Sequence, residues 1–213
     1  MFGEVRLQNW SKRCRPNLYR KLELFLTTIP MAKLPRVSLL YSQRKIVLYD
    51  DIDEDSAFEF TNCVNRLIYL DNKLGEKKPI EILINSGGGL IYSGITIISL
   101  IEQLKKQGYE VTTVNTGLCA SMAFVISICG SKRCMYENAV YMYHDASSGT
   151  FGKLENMKDD VRDMQKLRDT LDEIVLRYTN VSKENIQEWH DRKFDRYFYK
   201  DEALSLKICD FVL

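Results

Sequence analysis

The chain is poor in the residues that would give it away quickly. It has two histidines, four prolines and two tryptophans among 213 residues, and 30 basic side chains against 29 acidic ones leave a net charge of +1. A balance that even provides no global field for nucleic acid or for an anionic membrane surface. The strongly apolar runs, such as Met122–Cys129, fall far short of the ~20 residues that span a bilayer. The six cysteines (Cys14, Cys63, Cys119, Cys129, Cys134 and Cys209) form no C-x-x-C pair, and neither His144 nor His190 lies near one, so no zinc-ligand spacing is present. Scattered cysteines without a secretory signal also argue against a disulfide scaffold and point to reduced thiols in a cytosol-like compartment. What remains is an ordinary globular mixture, 45% hydrophobic and 28% charged, of a length that suits one sizeable domain.

Residues 1–36 differ from the rest. They hold eight Lys/Arg, only Glu4 and Glu23 as acids, and three of the four prolines. The segment reads as a basic N-terminal arm, with a targeting peptide, a propeptide or an extension ahead of Met31 as sharper alternatives. From residue 37 strand and helix patterns alternate. Lys45–Tyr49, Pro79–Ile84, Glu110–Val114 and Ala139–Tyr143 read as strands. Acidic Asp51–Asp55 opens a helix on which Phe58, Cys63, Leu67 and Leu70 recur. Ile91–Lys106 reads as a second helix and Ser121–Ile128 as a short one, apolar all round and therefore buried. Leu154, Met157, Val161, Met164, Leu167, Leu171, Ile174 and Tyr178 mark one long amphipathic helix, and Ser182 opens another. The alternation indicates an α/β domain over 37–213 with mostly parallel pairing.

Two strand-to-helix junctions are chemically suggestive. Asn85-Ser86-Gly87-Gly88-Gly89 lets backbone N–H groups approach a ligand at a helix N-terminus. It matches neither phosphate-binding glycine pattern, so an oxyanion hole or a plain tight turn remain. Gly117–Ala123 places Ser121 at the start of the short helix, where a serine is ordinarily an N-cap. Cys119 is a rival nucleophile, although a cysteine between Leu118 and Ala120 is more often a core residue. His144 closes the strand Ala139–Tyr143, a place from which it could face a crevice, although by itself it reads first as a satisfied structural histidine, whereas His190 reads as a solvated helix-face histidine beside Glu188 and Asp191. Asp195 lies between Lys193 and Arg196, cations that favour its ionised form, but Asp145 and Asp191 compete with it on spacing alone.

In this order the pieces resemble the ClpP-type serine peptidases, the proteolytic subunits of the ATP-dependent Clp protease. The similarity covers roughly Val37 to Leu213. The family's Asn-Ser-Pro-Gly-Gly loop is similar to Asn85–Gly89, its Gly-x-Ala-Ala-Ser-Met-Gly motif to Gly117–Ala123, and its Met-x-His-Gln-Pro motif to Met142–Ala146. Its Asp-Arg segment, Glu-Ala pair and closing strand resemble Asp195-Arg196, Glu202-Ala203 and Ile208–Leu213. Gly87 stands where the family has proline, Asp145-Ala146 where it has Gln-Pro, and Cys119 and Ala123 where it has Ala and Gly. These departures suit a divergent branch, phage-borne or plastid-type.

The resemblance implies a ClpP/crotonase-like spiral of repeated strand-strand-helix units, with Leu154–Tyr178 as a projecting handle helix. It implies Ser121 as nucleophile, His144 as general base and Asp195 as its orienting acid, with an oxyanion hole from Met122 and the Gly88-Gly89 turn. The expected protein is a cytoplasmic (or plastid-stromal) endopeptidase that needs no cofactor or metal. It would cleave unfolded polypeptides inside a homo-oligomer of two stacked heptameric rings, fed by an AAA+ unfoldase, with no nucleic-acid or membrane partner. The alternatives are a non-catalytic ring subunit, a phage capsid-maturation protease with the same chemistry, and a crotonase-like acyl-CoA enzyme.

Overall fold

In the computed structural model the described residues are 37–40, 43–147, 149 and 151–213. The basic arm, residues 1–36, lies outside them.

Eight strands and six helices alternate through the described residues. In chain order they are β1 (Val37–Leu40), β2 (Lys45–Tyr49), α1 (Glu54–Leu74), β3 (Ile80–Ser86), α2 (Ile91–Lys106), β4 (Val111–Ala120), α3 (Met122–Ser127), β5 (Lys132–Met135), β6 (Val140–Tyr143), α4 (Leu154–Tyr178), α5 (Lys183–Arg192), β7 (Arg196–Phe198), α6 (Lys200–Ser205) and β8 (Phe211–Val212). The sheet runs β1-β2-β3-β4-β5-β8, and β6 and β7 branch from β4. Pairing is parallel from β2 to β8 and between β4 and β6. Only β1–β2 and β6–β7 are antiparallel. This is the α/β, mostly parallel arrangement that the sequence pattern indicated. Its interior strands are apolar on the core side, with Ile46, Leu48, Ile80, Ile82 and Ile84 essentially inaccessible.

Local chemistry sets the helix ends. Asp53 caps α1 through a reciprocal pair of hydrogen bonds with Ser56, and Gly75 ends it at φ 69°. Helix α1 buries Phe60, Cys63, Val64 and Leu67. Phe58, expected on that apolar face, is instead 67% exposed. It lies only two residues before Phe60, which takes the inward position, and neighbours that close cannot share a helix face. Ser182 caps α5 in the same way, with Asn185 as its reciprocal partner. Helix α3 is buried along its whole length, as its composition required.

Strand β4 positions the site. Its first half pairs with β5 from Thr112 to Asn115, and its second half pairs with β6 from Leu118 to Ala120. Between the two the register against β3 jumps, from Ile84 opposite Asn115 to Ser86 opposite Cys119. Two asparagines hold this bulge. Buried Asn115 donates to Val140 O at 2.9 Å and accepts from Gly117 N at 3.1 Å, while Asn85 Oδ1 accepts from Leu118 N at 2.9 Å. A β-carbon on Gly117 would lie 2.7 Å from Asn85 Oδ1, so glycine is what the bulge admits. The sequence pattern reads this strand only as Glu110–Val114, short of Asn115-Thr116-Gly117. In the structure those residues carry the strand from one neighbour to another.

Helix α4 is 25 residues, about 37 Å at 1.5 Å per residue, and its buried residues are Ile174 and Val175, near the C-terminal end. Leu154 is 66% and Val161 53% exposed, so the apolar stripe of its first half does not cover the chain's own sheet.

Candidate active site

The carboxyl ends of β4 and β6 and the amino end of β7 bring the expected residues to one edge. Ser121 follows β4 directly. Its N–H donates to Met142 O at 2.9 Å, extending the β4–β6 ladder by one step. His144 follows β6. The β6–β7 ladder pairs Tyr141 with Phe198, Met142 with Tyr197 and Tyr143 with Arg196. Continued by one rung, it sets His144 opposite Asp195, and directly opposed residues of an antiparallel pair present their side chains on the same face. Three segments remote in sequence thus place Ser121, His144 and Asp195 at adjacent strand ends. Ser121 and His144 are half-buried, and Asp195 is exposed in the isolated chain.

Ser121 stands where an N-cap would, but its hydroxyl does not cap α3, and its backbone is at φ 53°, ψ −123°. An L-residue in that region is strained by an order of 1–3 kcal/mol. The strain turns the chain sharply from β4 into α3. Phe124 N and Val125 N then bond back to Ser121 O at 3.0 and 3.3 Å. The glycine loop packs against this corner. A β-carbon on Gly88, at φ 100°, would meet Ser121 Cβ at 2.7 Å, Ala120 O at 2.8 Å and Met122 N at 2.9 Å. Only glycine lets the two junctions approach this closely.

The same loop is pinned from its other side. Gly89 bridges to Ile52 in parallel fashion. Ile52 N donates to Gly88 O at 2.8 Å and Leu90 N to Ile52 O at 2.7 Å. That pattern leaves the Gly89 N–H pointing away from Ile52, toward the β4 side. The Gly88 N–H donates to Ser86 Oγ at 3.1 Å. Met122 N belongs to the first residue of α3, where N–H groups lack intrahelical acceptors. Gly94 makes room for the Met122 side chain, whose Cγ would lie 2.2 Å from a β-carbon there.

Cys119, the rival nucleophile, is fully buried, its Sγ 3.9 Å from Ile84 O, and burial pushes its thiol far above its ordinary range. A thiol kept protonated and shielded from solvent is a core residue. Below the edge an aromatic cluster ties the three segments together. Phe124 of α3 stacks on Phe198 of β7 with centroids 5.9 Å apart, and meets Tyr141 and Tyr143 of β6 edge-on at 6.0 and 5.9 Å. Trp189 of α5 packs on Phe198 and Tyr143 at 5.6 and 5.5 Å.

His190 is not solvated as its helix neighbours suggested. It is 9% exposed. Its Nε2 lies 2.9 Å from Asp172 Oδ2 of α4, and its Nδ1 lies 3.3 Å from Asp145 Oδ1. Its charged flanks, Glu188 and Asp191, do face solvent, and Asp191 accepts from Gln187 at 2.9 Å. The partners that bury the ring come from α4 and from the segment after β6, and no local pattern announces them. Asp172 was likewise missed, as one of many acids along α4. Among the described residues no group of three or more His, Cys, Asp and Glu side chains is disposed to hold a metal ion. No helix among them is long and apolar enough to cross a membrane.

Comparison with known proteins identifies the family. The family model for Clp protease matches residues 32–213. Over 185 residues the chain is 30% identical to a protein of Bacteroides fragilis named ATP-dependent Clp protease proteolytic subunit, covering 86% of this chain and 85% of that one. Proteins of the same name from Deinococcus radiodurans and Dehalococcoides mccartyi are 30% and 28% identical over 178 residues, each covering 83% of this chain and 83% and 84% of their own length. With most of its length matched, the chain belongs to the Clp protease family and is a serine-type peptidase.

Proposed function

We propose that this chain hydrolyses peptide bonds in unfolded polypeptides with Ser121 as nucleophile, His144 as general base and Asp195 as the acid that orients it. The observation that carries the reading is the convergence of β4, β6 and β7. Ser121, strained and not a cap, follows β4; His144 follows β6, which pairs with β4; and Asp195 precedes β7, which pairs with β6. His144 takes the Ser121 proton as Oγ attacks the scissile carbonyl. Asp195 holds the imidazole in the required tautomer and stabilises the imidazolium. His144 then returns the proton to the leaving amine, and water, activated by the same base, releases the acyl group from Ser121.

The tetrahedral oxyanion is received by Met122 N–H and by the Gly88-Gly89 turn. Within that turn Gly89 is the better donor, because Gly88 N–H is already bonded to Ser86. Each such donor is worth about 10²–10³ in kcat. No cofactor enters this chemistry.

The assembly we propose is a homo-oligomer of two stacked heptameric rings, in a cytoplasmic or plastid-stromal setting, with an AAA+ unfoldase delivering substrate. The exposed apolar stripe on the first half of α4 supports a subunit contact there. The names of the relatives, subunits of an ATP-dependent protease, support a complex and an ATPase partner. Light scattering is expected to show a species many times the 24.8 kDa chain, and a single species of that mass would overturn the ring reading.

A fluorophosphonate probe with peptide mapping tests the chemistry. Label confined to Ser121, and lost in His144→Ala, is the expected result. A folded protein that takes no label, or takes it elsewhere, overturns the assignment.

A further inference from the structure

His190 is buried with both ring nitrogens facing carboxylates, Asp172 at 2.9 Å and Asp145 at 3.3 Å. A neutral imidazole has one N–H and one lone pair. Whichever tautomer formed, a lone pair would then face a carboxylate oxygen across a gap closed to water. The ring with both protons donates on both sides. The Asp172 side is fully built: the Tyr143 hydroxyl donates to Asp172 Oδ1 at 2.5 Å and lies 3.3 Å from His190 Nε2. Burial and the Asp172 carboxylate push the Tyr143 phenol up, so it stays a donor. The Asp145 side is different. At 3.3 Å the two groups are close enough for an ion pair, yet Asp145 Oδ1 and His190 Nδ1 are both buried without a hydrogen-bond partner. Asp145 belongs to the chain that follows β6, directly after His144.

We propose that His190 is a positioning residue for His144. Set between Asp172 and Asp145, it links α4 to the chain after β6 and so holds the backbone of the base against α4. The groups around the ring are Tyr143 from β6, Asp145 from the segment after it, Asp172 from α4 and the apolar Trp189 ring of its own helix. Arg168 of α4 acts on Tyr143 across the same space, and a cavity of about 210 Å³ lined by Asp145, Met164 and Arg168, among others, gives the segment room to move. The inference rests on the proposed role of His144.

With two histidines in the chain, imidazole nitrogen spectra are assignable on the intact protein, His144→Ala identifying the signals of His190. In His190→Gln kcat should fall about 10–10²-fold, the range for a small misplacement of a catalytic group, and the His144 signals should shift. KM should move little, since only the base is displaced. Should that variant fail to fold, Asp145→Asn provides the second arm, with a smaller fall in kcat, a shift of the His144 signals and KM again unmoved. A kcat and His144 signals unmoved in both variants would overturn the inference. Absence of fluorophosphonate label on wild-type Ser121 would instead overturn the reading on which it rests.

Discussion

Arg133 of β5 and His190 of α5 are equally buried, each 9% exposed, and each faces carboxylate from a distant part of the chain. Their surroundings differ in one respect. Arg133 spends four of its five N–H donors. Nε and Nη2 bind the two oxygens of Asp210 at 2.9 and 2.5 Å, while Nη1 reaches Lys207 O at 2.6 Å and Tyr178 O. The Arg133 backbone N–H adds a further bond to Asp210 at 3.0 Å. Around His190, two buried polar atoms have no hydrogen bond. The first cluster stitches the end of α4 and the C-terminal segment onto β5, with its carboxylate and most of its donors paired. The second sits one residue from the base. Equal burial therefore does not mean equal purpose. A closed network holds a scaffold, and an open one beside a strand end leaves freedom where chemistry needs it.

The largest effect that would sharpen this contrast is at the open edge. Ser121→Ala should lower kcat on a fluorogenic peptide by about 10⁶, as removal of a triad nucleophile does, with the melting temperature nearly unchanged. Retained turnover would remove the edge from the chemistry altogether. Asp195→Asn should follow with a loss of about 10⁴ in kcat, because an amide favours the wrong imidazole tautomer. Asp145→Asn should cost far less and act on the pH profile, since Asp145 faces His190. A reversal of those two magnitudes would show that this branch rebuilt its triad around the neighbouring acid.

How much of this the sequence discloses depends on whether the information is local. Helices α2 and α4 are read residue for residue, because their apolar spacing and flanking breaks are self-contained. The glycine loop and Gly117–Ala123 are legible as junctions for the same reason. The bulge of β4 is not, since it depends on Asn85 and Val140 reaching across strands to Gly117 and Asn115. Strand β5, Lys-Arg-Cys-Met, carries too much charge to look like an interior strand, and Asp210 makes it one by neutralising Arg133. His190 fails in the opposite direction. Its polar helix neighbours suggest exposure, and tertiary partners override them. Asp195 could be chosen over its competitors only through family likeness. The β6–β7 register ends one rung short of it, at Tyr143 opposite Arg196.

The closed cluster should be broken by stability, not by turnover. Arg133→Met strands Asp210 without its partner and leaves two carbonyls short of a donor, a change of about 3–5 kcal/mol for a buried pair. At roughly 2–4 °C per kcal/mol for a domain of this size the melting temperature should fall by about 10 °C. Activity per folded molecule should persist. Burial alone would raise the Asp210 carboxyl, but the hydrogen bonds and charge of Arg133 outweigh it and hold the group below its ordinary value of 3.8. A depressed carboxyl contributes stability that is complete above its unfolded value and is lost as pH falls through the folded one. Wild-type protein should therefore lose melting temperature below about pH 4, and Asp210→Asn should start lower and fall less steeply there. A variant as acid-sensitive as wild type would assign the loss to other carboxylates.

The smallest effect tests whether the open edge stores strain. Ser121 and Lys193 both have positive φ, 53° and 51°, but they differ in ψ: Lys193 at 45° is an ordinary left-handed helix end, and Ser121 at −123° is not. Glycine reaches both regions without a β-carbon clash, at an entropic cost of about 0.5–1 kcal/mol in either place. Strain relief at Ser121 is of order 1–3 kcal/mol, against a smaller gain at Lys193. Ser121→Gly should consequently raise stability by about 1 kcal/mol while abolishing turnover, and Lys193→Gly should leave both nearly unchanged. Because the glycine entropy is common to the two variants, the difference between their denaturant midpoints isolates the ψ term. If Ser121→Gly gains no more than Lys193→Gly, the corner between β4 and α3 is relaxed, and the serine's placement owes nothing to stored backbone strain.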